Sequence, residues 1–370
     1  MKKIYLIMMT LFCLCFYNEQ AYAQEKSELQ LYSYENYNKE SEVADIEAML
    51  KYSYCGSYEK LDICEYISYY NEDSNEIMYI YPIYDGNECV LMATTDGKGN
   101  VTITEDIRMY NSILDSECMG EYRTYMTGGN LYLKDKDECI DVFCATDMLG
   151  MHNVQSYSEN DIANTYDSKG VKEKLNNVIE PMVIKNVDME SATEYRAVAT
   201  TNSVSLSGTP MIGKYCSITN FVSQGNDGLC WAASVATIVN YKKNSMLYGV
   251  TARNVADRME IGYNTGATLT QTRNALASYG LSYTASSSKL SWSKVKSNIL
   301  ADKPFIIGLS SQYGGHMITG YGYLCNVSDR QASARYVYAW DSNGFKITFG
   351  YNSSKIFTSG ISFEWKTSLY

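Results

Sequence analysis

Small apolar residues recur at helical spacing through Ala232, Ala233, Val235, Ala236, Ile238 and Val239. The spacing predicts a buried helix that starts at Cys230 and ends near Tyr241-Lys242-Lys243, where cations suit the negative end of a helix dipole. Further helical patterns cover 250–259, 269–279 and roughly 292–300, the second of these stopped by Gly280 in the position of a left-handed cap. The period then falls to that of strands over 305–308, 316–323, 335–340, 345–349 and 361–365. Helices first and strands afterwards predict an α+β domain whose helical half and antiparallel sheet half meet in a cleft.

The earlier part of the chain has a different rhythm. A short helical pattern through 42–52 is followed by runs rich in tyrosine and β-branched residues at 77–81, 89–92, 101–104, 131–133 and 140–143. Asp85-Gly86 and Asp96-Gly97 separate the first three runs, and such dipeptides between alternating segments are hairpin signals. This half reads as a strand-rich α+β unit with a substantial antiparallel sheet. Between the two parts, 186–210 is rich in Ser, Thr and Ala with little periodicity, and it reads as a linker suited to proteolytic nicking.

Length and charge sharpen this division. A chain of 370 residues is long for one domain and suggests two. Lys2 and Lys3, an apolar run over 4–16 and the Ala21-Tyr22-Ala23 site read as a secretory signal peptide over 1–23, followed by domains at 24–205 and 206–370. No later stretch approaches the ~18 apolar residues of a membrane span, so the expected product is secreted and soluble. The net charge of −11 is unevenly shared: residues 206–370 hold 15 Lys and Arg against 7 Asp and Glu, a balance of +8, which leaves about −20 on 24–205. Oppositely charged halves on one chain are expected to attract each other. The basic residues are scattered, without an Arg/Lys-rich helix or a basic-aromatic motif, so nucleic acid is not an expected partner.

Candidate chemistry centres on Cys230. A thiol in the first turn of a helix meets unpaired N–H groups and the positive dipole end, which favour the thiolate. Gln224, six residues upstream, is placed to offer an amide N–H to an oxyanion on a substrate. A thiol nucleophile needs a group that takes and returns a proton, and His316 is the one histidine of the second domain, opening a strand after Gly314-Gly315. Asp341 and Asn343, just past the next strand, are the two candidates for orienting the imidazole, with Asp341 preferred. His152, the other histidine of the chain, reads as a surface or structural residue. Six cysteines in the first half (Cys55, Cys64, Cys89, Cys118, Cys139, Cys144) permit three disulfides in an exported chain, and none has the C-x-x-C spacing of a zinc or redox site.

The stretch Gln224-Gly225-Asn226-Asp227-Gly228-Leu229-Cys230-Trp231-Ala232-Ala233-Ser234 resembles the nucleophile signature of papain-like cysteine peptidases. The order of motifs is most similar to bacterial enzymes of the C39-like and staphopain-like kind. The resemblance covers the second half only and implies a papain-like peptidase domain in which Cys230 is the nucleophile, His316 the general base and acid, Asp341 the orienting residue and Gln224 the oxyanion donor, with no cofactor or metal. Asp227 stands where the usual pattern has a cysteine, so the disulfide made there is absent. Cys216 and Cys325 are left either to pair with each other or to remain two thiols. Because related exported peptidases are made as proenzymes, the resemblance also implies that 24–205 is an inhibitory and folding-assisting pro-domain. The expected partners are then a protein or peptide substrate, this pro-domain and, for the basic domain, an anionic cell surface. Competing expectations are a cell-wall amidase or endopeptidase of the CHAP or NlpC/P60 kind and a non-catalytic surface-binding module. The former families lack a glutamine six residues before the cysteine.

Overall fold

The computed structural model describes residues 29–34, 36, 38–53, 61–116, 118, 120–135, 139–148, 182–186, 211–243, 249–327 and 334–370. Residues 1–23, expected to be a signal peptide, Cys55, His152 and the expected linker from 187 to 210 lie outside the described residues.

The first half runs β1 (Leu29–Tyr34), α1 (Lys39–Ser53), β2 (Leu61–Ile63), β3 (Ile67–Asn71), β4 (Glu76–Asp85), β5 (Glu88–Thr95), β6 (Val101–Thr104), α2 (Arg108–Leu114), β7 (Gly120–Thr127), β8 (Asn130–Lys134), β9 (Cys139–Cys144), α3 (Ala145–Met148) and β10 (Met182–Asn186). The Asp-Gly signals mark real turns. β4 and β5 pair from Asp85 opposite Glu88, with Gly86 at φ +64° between them. After β5, Asp96 Oδ1 accepts the N–H of Lys98 at 3.0 Å, a side-chain turn that leads into β6. Alternation along β4 assigns its two faces. Tyr79, Tyr81 and Ile83 pack with Ile46, Met49 and Leu50 of α1, whereas Met78 and Ile80 join the larger core with Met109 and Ile113 of α2. The strand reads as tyrosine-rich because both of its faces are covered. Most strand pairs are antiparallel, as expected, but β7 runs parallel to β1 and to β3, whose long connections in sequence permit that direction.

The second half follows as β11 (Met211–Tyr215), α4 (Cys230–Lys243), α5 (Ala252–Arg258), α6 (Leu269–Ser278), β12 (Ala285–Ser286), α7 (Trp292–Leu300), β13 (Phe305–Ser311), β14 (Gly314–Asn326), β15 (Arg335–Asp341), β16 (Phe345–Gly350), β17 (Ile356–Thr358) and β18 (Ile361–Leu369). Thr251 and Thr268 start α5 and α6 with reciprocal capping boxes, and Gly280 takes φ +75° after α6. Residues 231–240 of α4 are all buried, which a helix apolar on every side requires. One side of α4 packs on α5 and α6 and the other on β13 and β14. Antiparallel pairing links β18 to β13, β13 to β14, β14 to β15 and β15 to β16. At Gly320 the sheet lets the Phe305 ring lie across the strand: a Cβ there would stand 2.4 Å from the ring. Gly320→Ala is therefore expected to cost about 1–3 kcal/mol through overpacking, read as a lower midpoint in urea unfolding.

The two halves share one sheet. β6 pairs antiparallel with β16, Thr102 opposite Phe349 and Thr104 opposite Ile347. Two acidic–basic contacts cross the same seam: Lys346 Nζ lies 3.4 Å from Glu105, and Lys355 pairs with Glu76. Their sign is that of the expected attraction, but an exposed pair such as Lys346–Glu105 contributes only about 0–1 kcal/mol. Strand pairing and the shared apolar core therefore dominate the docking.

Disulfides are not part of this architecture among the described residues, where Cys64, Cys89, Cys118, Cys139, Cys144, Cys216 and Cys325 all carry thiols. The β11–β14 register sets Cys325 opposite Ile212, while the Cys216 N–H reaches the Tyr321 carbonyl at 2.8 Å. Cys216 and Cys325 thus sit several residues apart along the ladder, the two-thiol alternative. Burial pushes the Cys216 thiol up to about 12, as expected of an inert core thiol.

Candidate active site

Cys230 is the first residue of α4, partly exposed, at the end of a loop whose geometry is set by its own polar groups. The Val222 N–H donates to Thr237 Oγ1 at 2.9 Å and its carbonyl accepts from Trp340 Nε1 at 3.0 Å. The loop is thereby tied both to α4 and to β15. Asp227, standing where a disulfide cysteine is usual, instead accepts a two-pronged contact from Arg253 at the start of α5. Nε lies 2.7 Å from Oδ2 and Nη2 lies 3.0 Å from Oδ1. An ion pair thus ties this loop to the start of the next helix. Beside it, residues 223–227 and 251–253 line an open groove of about 470 Å³.

His316 is set by strand register. Gly314 opens β14, and the β14–β15 ladder puts Ile318 opposite Asp341. His316 lies two residues before Ile318 on the same face, which brings its ring diagonally to the carboxylate. His316 Nε2 is 2.9 Å from Asp341 Oδ1, and both side chains are fully buried. The other ring nitrogen, Nδ1, makes no hydrogen bond among the described residues, and the ring interacts electrostatically with the Cys230 thiol. Phe363 covers the ring at 5.9 Å between centroids.

Burial opposes charge on the imidazole. It is outweighed by the Asp341 carboxylate and the Cys230 sulfur, which together push the His316 pKa up to about 10. Burial likewise disfavours the Asp341 carboxylate. The His316 charge and hydrogen bonds from His316, the Asn343 N–H and Thr358 overcome it and hold Asp341 below the usual carboxylate range. The candidate Asn343 touches Asp341, not His316: its N–H and Nδ2 donate to Asp341 Oδ1 at 2.9 and 2.8 Å. Of the two candidates, Asp341 is the one at the histidine.

Gln224 is 3 % exposed. Its N–H donates to the Ser342 carbonyl at 2.7 Å, and the Ser342 hydroxyl donates to Gln224 Oε1 at 3.0 Å. With the oxygen so engaged, the amide N–H₂ is its donor end. Ser342 lies next to Asp341, so a single β15–β16 turn supports both the acid and the glutamine.

Sequence reasoning missed Ser342 and Thr358. Thr358 Oγ1 donates to Asp341 Oδ2 at 2.7 Å and leaves the carboxylate no freedom to turn. Ser359-Gly360, which follows it, is a turn-forming dipeptide and was the available signal for a hairpin there. Nothing in the sequence alone ties that hairpin to Asp341.

Residues 218–360 match the model of the Peptidase_C39 like family, less than half of the chain but a span containing Gln224, Cys230, His316, Asp341 and Thr358. The second half thus carries a cysteine peptidase-like domain. No curated protein matches the chain.

Proposed function

We propose that this chain is a secreted cysteine endopeptidase, made as a proenzyme, that cleaves peptide bonds with Cys230, His316 and Asp341. The observation that carries the reading is the buried His316–Asp341 contact of 2.9 Å, beside a cysteine at the head of a buried helix that interacts electrostatically with the same ring. That arrangement suits acyl transfer. The Cys230 thiolate adds to the substrate carbonyl, and the oxyanion takes hydrogen bonds from the Gln224 amide and the Cys230 backbone N–H. The His316 imidazolium gives its proton to the leaving amine as the C–N bond breaks. Water, deprotonated by the now neutral imidazole, then releases the acyl group and restores the pair. Asp341 holds the ring and stabilises its charged form.

Export is read from residues 1–23. The proenzyme reading rests on the acidic first half, which shares a sheet and a core with the basic second half and so is suited to assist its folding and restrain it until the chain is cut. The test is incubation of residues 24–370 with casein, with and without prior iodoacetamide, followed by intact-mass measurement of the enzyme. Casein cleavage that iodoacetamide abolishes, together with a cut between 187 and 210, is the expected result. Cleavage of cell-wall peptides with casein untouched would move the substrate to the peptidoglycan class.

The oxyanion role has its own signature. Gln224→Ala is expected to lower kcat about 10²–10³-fold in steady-state assays of a chromogenic peptide. Ser342→Ala removes one hydrogen bond to that amide and is expected to cost only about threefold to tenfold. An unchanged kcat in Gln224→Ala would remove the glutamine from the mechanism.

A further inference from the structure

The buried acid of the site is held from behind by a turn, and that turn is held by the other half of the chain. Thr358 closes β17 against Asp341, Ser359 and Gly360 follow with φ of +46° and +79°, and Ile361 opens β18 opposite Thr358. Two successive positive φ values define a type I′ hairpin turn. Ser359 is a non-glycine residue in the left-handed region, a conformation that persists where surrounding contacts enforce it.

Those contacts come from the first half. Ser359 is 1 % exposed, and its hydroxyl donates to Asp106 Oδ2 at 2.7 Å. Asp106 is itself fixed by Arg108, whose Nε and Nη2 reach its two oxygens at 2.7 and 2.9 Å. On either side of Ser359, the Phe357 N–H donates to Thr102 Oγ1 at 3.0 Å and the Gly360 carbonyl accepts from the Tyr69 hydroxyl at 3.1 Å. A Cβ at Gly360 would stand 2.8 Å from both Met109 Sδ and Met126 Cε, so the turn is seated against α2 and β7.

We propose that the first half is a positioning element of the catalytic site: Asp106, Thr102 and Tyr69 clamp the β17–β18 turn so that Thr358 aligns Asp341 with His316. A cut between the halves therefore leaves them bound together in the working enzyme. The physical link is short: Asp106 to Ser359, one peptide unit to Thr358, then Asp341 and His316 by hydrogen bonds, with the ring coupled electrostatically to Cys230. Loosening its first member lets the carboxylate rotate away from Nε2, and misplacement on the ångström scale at a reacting group is enough to cost about 10²-fold in rate. The inference rests on the peptidase reading for its kinetic readout only.

The test uses residues 24–370 with both halves present and cut between 187 and 210, the form proposed to work. Asp106→Ala removes the acceptor for Ser359, Asp106→Asn keeps an oxygen there, and Glu105→Gln perturbs the neighbouring contact with Lys346 without touching the turn. Two quantities are followed against pH: kcat and KM on a peptide substrate, and the rate of Cys230 alkylation by iodoacetamide from peptide mass mapping. Asp106→Ala is expected to lower kcat about tenfold to hundredfold with KM within about twofold, and to move the alkaline limb of both profiles to lower pH. Asp106→Asn recovers most of the loss and Glu105→Gln matches wild type. A folded Asp106→Ala with wild-type profiles overturns the proposal. If that variant does not fold, Ser359→Gly, which suits a positive φ and removes the hydroxymethyl side chain, decides by the same measurements. If the wild type cleaves no peptide, the peptidase reading fails while the alkylation profiles still decide the clamp. After cleavage at a protease site engineered between 187 and 210, the halves should co-elute on gel filtration with activity retained. Full activity in an isolated second half would overturn the proposal.

Discussion

Replacing Cys230 by alanine is expected to reduce kcat on peptide substrates by about 10⁵–10⁶-fold while leaving the fold intact. The magnitude follows from how such sites work as units: once the nucleophile is gone, His316 and Asp341 have nothing to activate, and only binding and the oxyanion donors remain. The fold should survive because Cys230 sits at the partly exposed start of α4, and the buried residues that anchor that helix begin at Trp231. The His316–Asp341 contact also survives, since it does not pass through sulfur. Steady-state kinetics beside thermal unfolding check both statements. Activity within tenfold of wild type would eliminate Cys230 as the nucleophile.

Asp341→Asn is the second large effect, with an expected loss of about 10²–10⁴-fold in kcat and a shifted pH profile. The sign follows from the causes. Burial lowers the His316 pKa, and the Asp341 charge and the Cys230 sulfur raise it to about 10. Removing the carboxylate charge leaves burial less opposed, so the imidazolium is lost at lower pH and the alkaline limb of kcat/KM should fall by about 1–3 units. Stability should follow the same linkage. The folded pKa of His316 lies above its unfolded value near 6.5, so its contribution is complete below about pH 6.5 and is lost as pH rises towards 10. The folded pKa of Asp341 lies below its unfolded value near 3.8, so its contribution is present above about pH 3.8 and is lost as pH falls through the lowered value. The excess stability of wild type over Asp341→Asn should therefore be greatest between about pH 4 and 6.5 and shrink by pH 9.5. Urea unfolding of both proteins at about pH 5.5 and 9.5 measures it. Asparagine keeps an acceptor oxygen for the ring, so the loss should stay below the ~3–5 kcal/mol typical of removing one member of a buried pair. An excess that grows with pH would reverse the assignment of charge in the pair.

Much of the second half was legible in advance because its elements have strong local periods. The helices at Cys230–Lys243, Leu269–Ser278 and Trp292–Leu300 lie within a residue or so of the 3.6-residue pattern and its capping signals, and β13 to β16 follow the change of period. The first half was less legible. β3 and β7 carry tyrosine, serine and asparagine among apolar residues, and their parallel pairing follows from packing between segments far apart in sequence. No pairing rule within reach of a single segment predicts that direction.

By itself the sequence picked out the candidate residues: Cys230 opens a helix whose pattern announces it, His316 lies near the start of one strand, Asp341 and Asn343 lie at and just past the end of the next, and the six-residue offset from Gln224 to Cys230 is a property of one loop. Tertiary structure decided what holds those residues in place. Choosing Asp341 over Asn343 as the neighbour of His316 depends on strand register, since the two candidates are two residues apart and only the folded ladder says which one meets the ring. The supports that fix the acid, Thr358 behind it and Asp106 behind Ser359, are drawn from strands and loops up to 253 positions apart in the chain. A hydrogen bond spanning such a separation leaves no periodicity for a sequence to display, because its geometry exists only once the two halves have closed into one sheet.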